Sequence, residues 1–541
     1  MIKIKYIFLF MAMMATGLNA FGQSANDDAA LRKKVNDAVM KVYNEQLEKE
    51  PNDYSTLLAR AYQWFNFGDY DKALADAQTV TKNAPEKEKD VRFDAYLLCA
   101  NVYDARNQYQ DEYNELKNAA ELKPTNAKLV DMMGKVAYKL GDYKSAKSNF
   151  NAILRQSPQN FDALYNLAKV AVKQNDLKGA SEYCNRAQSL FPSEPEVYLN
   201  NADIYNMMGE YELAAKCIIL AMSMTNDTRK PISALVTMSD EHYTEVCNAL
   251  QTGIDANPQS GMFYYIRSQI AMSHLHYAQA LADLKSINDG KLFDDASVLI
   301  SQAQCEFELC KYDDALNTID KALAKNASNV DALVTKARII EQQAGGNNYD
   351  PAMGMLLRAA RIDKGNPDVL MEQALIYIAQ HKDNEALTKL DAVIAANNLD
   401  FEALLIRGWL NKYRLKNAEA ALADFNKIAD AGKDMMSFKG FALHELGRDL
   451  DATKWAQQII KDEPLPGGQA YAYAAALLSM IGDNNQAIIN FESALANGYG
   501  SLYEVNVNEN PYVNFKQLRS NPEFKSIVER YQANFSNVAK K

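Results

Sequence analysis

The chain has 541 residues but only five histidines and six cysteines. Cys99, Cys184, Cys217, Cys247, Cys305 and Cys310 include no Cys-x-x-Cys pair, which removes the usual zinc and thioredoxin-like signatures. There is no phosphate-cradling glycine loop, no Gly-x-Ser-x-Gly elbow and no His-Glu-x-x-His. His274 and His276 stand two apart, on different sides of any helix, and suit a turn better than a metal site. No catalytic, cofactor-binding or metal-binding residue is therefore expected, and the chain is not expected to be an enzyme. Fourteen prolines and 23 glycines are too few for a disordered or collagen-like chain. No large basic block interrupts a net charge of −11, so a nucleic-acid partner is not expected. Beyond the first residues no apolar run approaches membrane-spanning length, and no stable membrane insertion of the mature chain is expected.

What is present begins with a short export-type leader. Lys3 and Lys5 precede an apolar stretch, Ile7 to Met14, and Ala20 and Gly22 follow it. This is the layout of a signal peptide over residues 1–22, cleaved after Gly22. An anchoring helix is the alternative, against which the shortness of the stretch counts. No cysteine sits at the cleavage point, which disfavours a lipid anchor. The expectation is an exported protein in the periplasm of a Gram-negative bacterium, with the cell surface or secretion as alternatives. Export permits disulfides, but most of the cysteines fall where a helix wants a small apolar residue, and packing is the favoured reading. Cys217 and Cys247 would be the pair to consider otherwise.

The rest of the sequence repeats. Gly-Asp-Tyr at 68–70 and 141–143 and Gly-Glu-Tyr at 209–211 each place alanine three residues after the tyrosine, with apolar residues following at helical spacing. Pro51 and Pro85 are 34 residues apart, and so are Pro124, Pro158 and Pro192. A small residue recurs in the first helix of each unit, as Ala61, Ala100, Gly134, Ala168, Ala202, Ser268, Ala303, Ala337 and Ala374. Another recurs in the second, as Ala73, Ala146, Ala180, Ala214, Ala280, Ala315, Ala352, Ala386, Ala421, Ala452 and Ala487, with Glu112 standing at this place in one repeat. Small residues at crossings let antiparallel helices approach closely. Glycine ends one helix in a left-handed conformation and aspartate caps the next.

This period and pattern resemble the tetratricopeptide repeat (TPR), a helix–turn–helix unit of 34 residues, here of an exported bacterial type. The resemblance implies an all-α, right-handed superhelical solenoid of about 13 repeats with N- and C-terminal capping helices. The expected organisation is a capping helix at 23–51, an N-terminal array at 52–226, a divergent repeat or kink at 227–260, a C-terminal array at 261–500 and a C-terminal cap at 501–541. In the cap, Asn510 to Tyr531 resembles the closing element of many such arrays.

The family's groove is lined by first helices, and the resemblance assigns candidate peptide-binding residues to it. They are Lys135, Tyr138 and Lys139 in the third repeat, Tyr165, Asn166, Lys169 and Lys173 in the fourth, and Asn200 and Asp203 in the fifth. An amide offers donor and acceptor together, which suits Asn166 and Asn200 to a peptide backbone. The four lysines recur at matching places and read as a basic strip for an acidic peptide or a C-terminal carboxylate. The alternative is a solvated helical face, as charge runs usually are. The function implied is a non-catalytic scaffold for protein or peptide partners. A substrate-binding component of an outer-membrane glycan uptake system is the alternative.

Overall fold

The computed structural model describes residues 38–225, 227–345, 348–431, 438–462, 466–508 and 510–536. The expected signal peptide, and the expected capping helix as far as residue 37, lie outside the described residues. No strand occurs among the described residues. The chain divides into two compact units, Met1–Glu210 and Tyr211–Lys541, a division N-terminal to the stretch 227–260.

The first unit opens with α1, residues 38–49. Four helical hairpins follow in tandem: α2 (Tyr54–Asn66) with α3 (Tyr70–Asn83), α4 (Lys89–Ala105) with α5 (Tyr109–Leu122), α6 (Ala127–Lys139) with α7 (Tyr143–Gln156), and α8 (Phe161–Lys173) with α9 (Leu177–Leu190). Helix α10 (Pro195–Met208) ends the unit. The turns form for local reasons. Gly68, Gly141 and Gly209 take positive φ values of 77°, 80° and 79°, which cost glycine little because it has no Cβ. The Asp69 carboxylate accepts from the Lys72 amide at 3.2 Å, and Asp142 accepts from the Ser145 amide at 3.0 Å, satisfying groups that a helix start leaves bare.

The second unit begins with α11 (Tyr211–Met224) and α12 (Arg229–Ala256), the latter interrupted at His242, whose φ of −130° and ψ of 47° are not helical. Seven hairpins follow. The first four are α13 (Gly261–Ser273) with α14 (Tyr277–Asp289), α15 (Ala296–Glu308) with α16 (Tyr312–Lys325), α17 (Val330–Ala344) with α18 (Asp350–Ile362), and α19 (Pro367–Ala379) with α20 (Asp383–Ala396). Then come α21 (Phe401–Trp409) with α22 (Ala418–Ala429), α23 (Lys439–Glu445) with α24 (Asp449–Asp462), and α25 (Gln469–Ile481) with α26 (Asn484–Ala496). Short α27 (Leu502–Asn506) and α28 (Pro522–Arg530) finish the unit.

Every small residue read from the sequence as a crossing point is buried. At Gly134 the crossing is close, since a Cβ there would lie 2.6 Å from the Phe150 ring. Gly408 repeats this against Phe425 at 2.5 Å, and Gly440 against Trp455. None of the six cysteines is joined in a disulfide, and Cys99, Cys184, Cys217 and Cys305 are buried.

A second regularity sits one place earlier. In some repeats a basic residue just before the small one ties its helix to the helix preceding the hairpin and to its own second helix. Arg267 donates from Nε and Nη2 to Asp283 at 2.8 and 2.7 Å, and from Nη1 to Gln251 at 2.5 Å. Arg60 links Asp76 with Asn44, and Arg407 links Asp424 with Asp391, in the same arrangement. Lys336 reaches back to Asp320.

The second unit also returns on itself. The turn at His274–His276, in its first hairpin, lies against Gly467, Gly498 and Gly500 around its last. A Cβ at Gly498 would strike the His276 imidazole, and one at Gly467 would strike the His274 carbonyl.

Candidate functional site

In the first unit the candidate residues fall on three consecutive first helices, α6, α8 and α10. Lys135, Tyr138 and Lys139 lie on α6, Tyr165, Asn166, Lys169 and Lys173 on α8, and Asn200 and Asp203 on α10. All nine are exposed or half-buried, as residues on an open face must be. Lys169 is the centre of the arrangement. Its ammonium stands 5.3 Å from the Tyr138 ring on one side and 5.3 Å from the Tyr165 ring on the other. The Tyr165 hydroxyl donates to Asp203 on the next helix at 3.1 Å. Burial, and then the Asp203 carboxylate, push that hydroxyl well above the usual tyrosine range, so it stays a donor.

The lysines are not equivalent. Lys135 pairs with Asp131 on its own helix at 2.7 Å. Lys139 pairs with Asp104 of α4 and lies 5.0 Å from the Tyr109 ring. That pairing adjoins Glu112, a buried glutamate pushed up to about 7 by burial and by Asp104. Lys169 and Lys173 form no ion pair among the described residues. The four-lysine strip is thus half neutralised by its own carboxylates, and its available positive charge is concentrated on α8.

The second unit shows what the same register does elsewhere in the chain. Relative to the small residue of α6 and α8, the candidate positions lie two and three places before it and one, four and five after it. In α15, α17 and α19 those places carry Phe307, Glu308, Val334, Arg338, Glu341 and Glu372, among others, and all of these line one cavity of about 1400 Å³. Part of its remaining wall is the C-terminal segment of the chain, from Tyr503 to Gln517. The Ser501 hydroxyl donates to Glu308 at 2.6 Å, the Tyr503 ring lies 4.6 Å from Phe307, and the Asn510 amide donates to Glu402 at 3.4 Å. Tyr499, Tyr512 and Phe515 anchor this segment as fully buried side chains. In the second unit the first-helix faces are therefore packed against polypeptide supplied by the chain itself.

Arg338, Glu341, Glu372 and Glu402 were not singled out from the sequence. The repeat register was the signal that could have found them, since three of the four occupy its groove-facing places.

Comparison with known proteins places the repeats on firm ground. Residues 132–195 match the family model described as tetratricopeptide repeat. A TPR repeat-containing protein of Methanocaldococcus jannaschii is 22% identical over 445 residues, covering 80% of this chain and 74% of that one. Cellulose synthase operon protein C of Pseudomonas fluorescens is 23% identical over 209 residues, 39% of this chain. That match spans only 15% of the Pseudomonas protein. Among solved structures, a tetratricopeptide repeat protein from Parabacteroides merdae aligns at 13% identity with a TM-score of 0.28, over 53% of this chain and 98% of that one.

Proposed function

We propose that this chain, a tetratricopeptide-repeat protein, is an interaction scaffold whose first unit binds an acidic segment of a partner protein across α6, α8 and α10. The observation that carries this reading is Lys169. It is held between two tyrosine rings on an open face with no carboxylate of its own, while Lys135 and Lys139 on α6 are already paired. A cation so placed is positioned but not neutralised, and a carboxylate arriving from a partner completes it. Lys173, one turn further along α8, extends the positive charge along the ligand path. Asn166 and Asn200 stand at equivalent places on α8 and α10 and supply paired donors and acceptors for a peptide backbone. The export-type leader assigns this scaffold to the cell envelope, with the periplasm as its compartment.

The test is an anisotropy titration of the full chain with a fluorescent Asp/Glu-rich peptide carrying a free C-terminus. Lys169→Met with Lys173→Met keeps the aliphatic stems and removes the charge, so the expected result is about tenfold weaker binding or worse. Equal affinity for wild type and variant would remove the site.

A further inference from the structure

The cavity of the second unit has a lining that selects for the opposite charge. Its volume of about 1400 Å³ exceeds that of any one side chain, and it lies between first helices and the C-terminal segment. One cation already sits in its wall and shows what the wall recognises. The Arg338 guanidinium lies 4.7 Å from the Phe307 ring, 3.4 Å from Glu372 and 4.0 Å from Glu308. An aromatic face and flanking carboxylates are the two features that hold a planar or alkyl cation.

Beyond Arg338 the same two features recur without a cation between them. Glu341 lines the cavity and forms no ion pair or hydrogen bond among the described residues. Glu402 lines it too, and its recorded partner is the neutral amide of Asn510. The rings of Tyr349 and Trp409 border the same space, and no cation lies over either among the described residues. Seven carboxylates line the cavity against the side chains of Arg338, Arg414 and Lys516. Arg414 is committed to Asp383, outside that lining, at 2.8 Å.

We propose that this cavity binds alkylammonium or guanidinium groups through the carboxylates of Glu341 and Glu402 that line it. The ligand is an organic cation on an aliphatic stem, either a lysine or arginine side chain of a partner peptide or a free polyamine. The site is separate from the α6–α8–α10 face and stands or falls independently of it.

The crowding of carboxyls here has a measurable consequence. Burial, then the Glu372 carboxylate, push Glu341 up to about 7 although Arg338 opposes this. Burial, then Glu308, push Glu504 up to about 7, with Tyr499 and Arg338 opposing and Glu402 adding to the rise. Both carboxyls ionise as the pH passes neutrality, and a cation gains partners when they do.

Isothermal titration of the full chain tests this with two probes, spermidine and an end-capped Gly-Lys-Gly-Lys-Gly peptide. Binding of at least one is expected, weakened about tenfold in Glu341→Gln with Glu402→Gln, isosteric changes checked for helicity by circular dichroism. Binding of the peptide alone identifies a partner's side chain as the ligand, and binding of spermidine alone identifies a free polyamine. Absence of binding by both at millimolar concentration, or full affinity in the double variant, overturns the proposal. A second readout needs no variant. Wild-type affinity is expected to rise several-fold between about pH 6 and about pH 8, and a flat or falling profile overturns the proposal equally.

Discussion

Glu112 stands where most second helices carry alanine, and its side chain is buried with Oε2 lacking a hydrogen-bond partner. Its carboxyl is pushed from the ordinary 4.5 up to about 7, by burial first and then by Asp104, with Lys139 opposing. The folded pKa lies above the unfolded one, so the fold prefers the protonated acid. Stability is therefore fully present below about pH 4.5 and is lost as the pH rises toward about 7. Glu112→Ala should stabilise the first unit by about 1–3 kcal/mol above neutrality, the cost of an unsatisfied buried polar group, and much less in acid. Urea unfolding at both ends of that range checks it, and a variant weaker at both would contradict it. His276 behaves in the reverse sense. Burial first, then His274, depress its pKa from 6.5 to about 4. The second unit should accordingly be most stable above about pH 6.5 and lose stability as the pH falls toward 4. His276→Gln should blunt that acid loss in thermal melts, and an unchanged acid slope would assign it to other groups.

At the scale of elements, much of the fold could be read directly. The Gly-Asp turns and buried alanines are local features whose reasons lie within one hairpin, so spacing alone exposes them. Asp142→Ala should remove one helix cap and cost about 1 kcal/mol, measured by chemical denaturation. The ties formed by Arg60, Arg267, Lys336 and Arg407 were not legible. A charged residue beside a small one reads as a surface residue until packing brings its partners, sixteen or seventeen positions away, onto both sides of it. Arg267 and Asp283 are both buried, so Arg267→Ala should cost about 3–5 kcal/mol by stranding the carboxylate. Arg267→Met with Asp283→Leu should recover most of that loss. If the single change were neutral, the tie would have no structural weight. The path of the C-terminal segment was equally hidden. Residues 501–517 follow no repeat period, and the partners of Ser501 and Asn510 are as distant in sequence as Glu308 and Glu402.

For the whole molecule, the chain forms two compact units. In the second, the groove register faces a cavity closed by the chain's own terminus, and in the first the same register faces outward. Ending the chain at Asn497 would remove Tyr499, Tyr512, Phe515 and Phe524, the last stacked on Phe491 at 4.3 Å. Such a truncation should lower the melting temperature of the second unit and leave acidic-peptide affinity unchanged. The candidate face of the first unit was legible to the extent that repeat register assigns positions. The neutralisation of Lys135 by Asp131 and of Lys139 by Asp104 was not, because a sequence shows charges but not which of them meet. The central claim is that an acidic segment lies along α6, α8 and α10. Photo-crosslinking tests it most directly, with p-benzoylphenylalanine replacing Asn200 on that face or the exposed Ser148 on second helix α7. The account predicts that the acidic peptide is captured from position 200 and not from position 148. Capture from position 148 alone would contradict it.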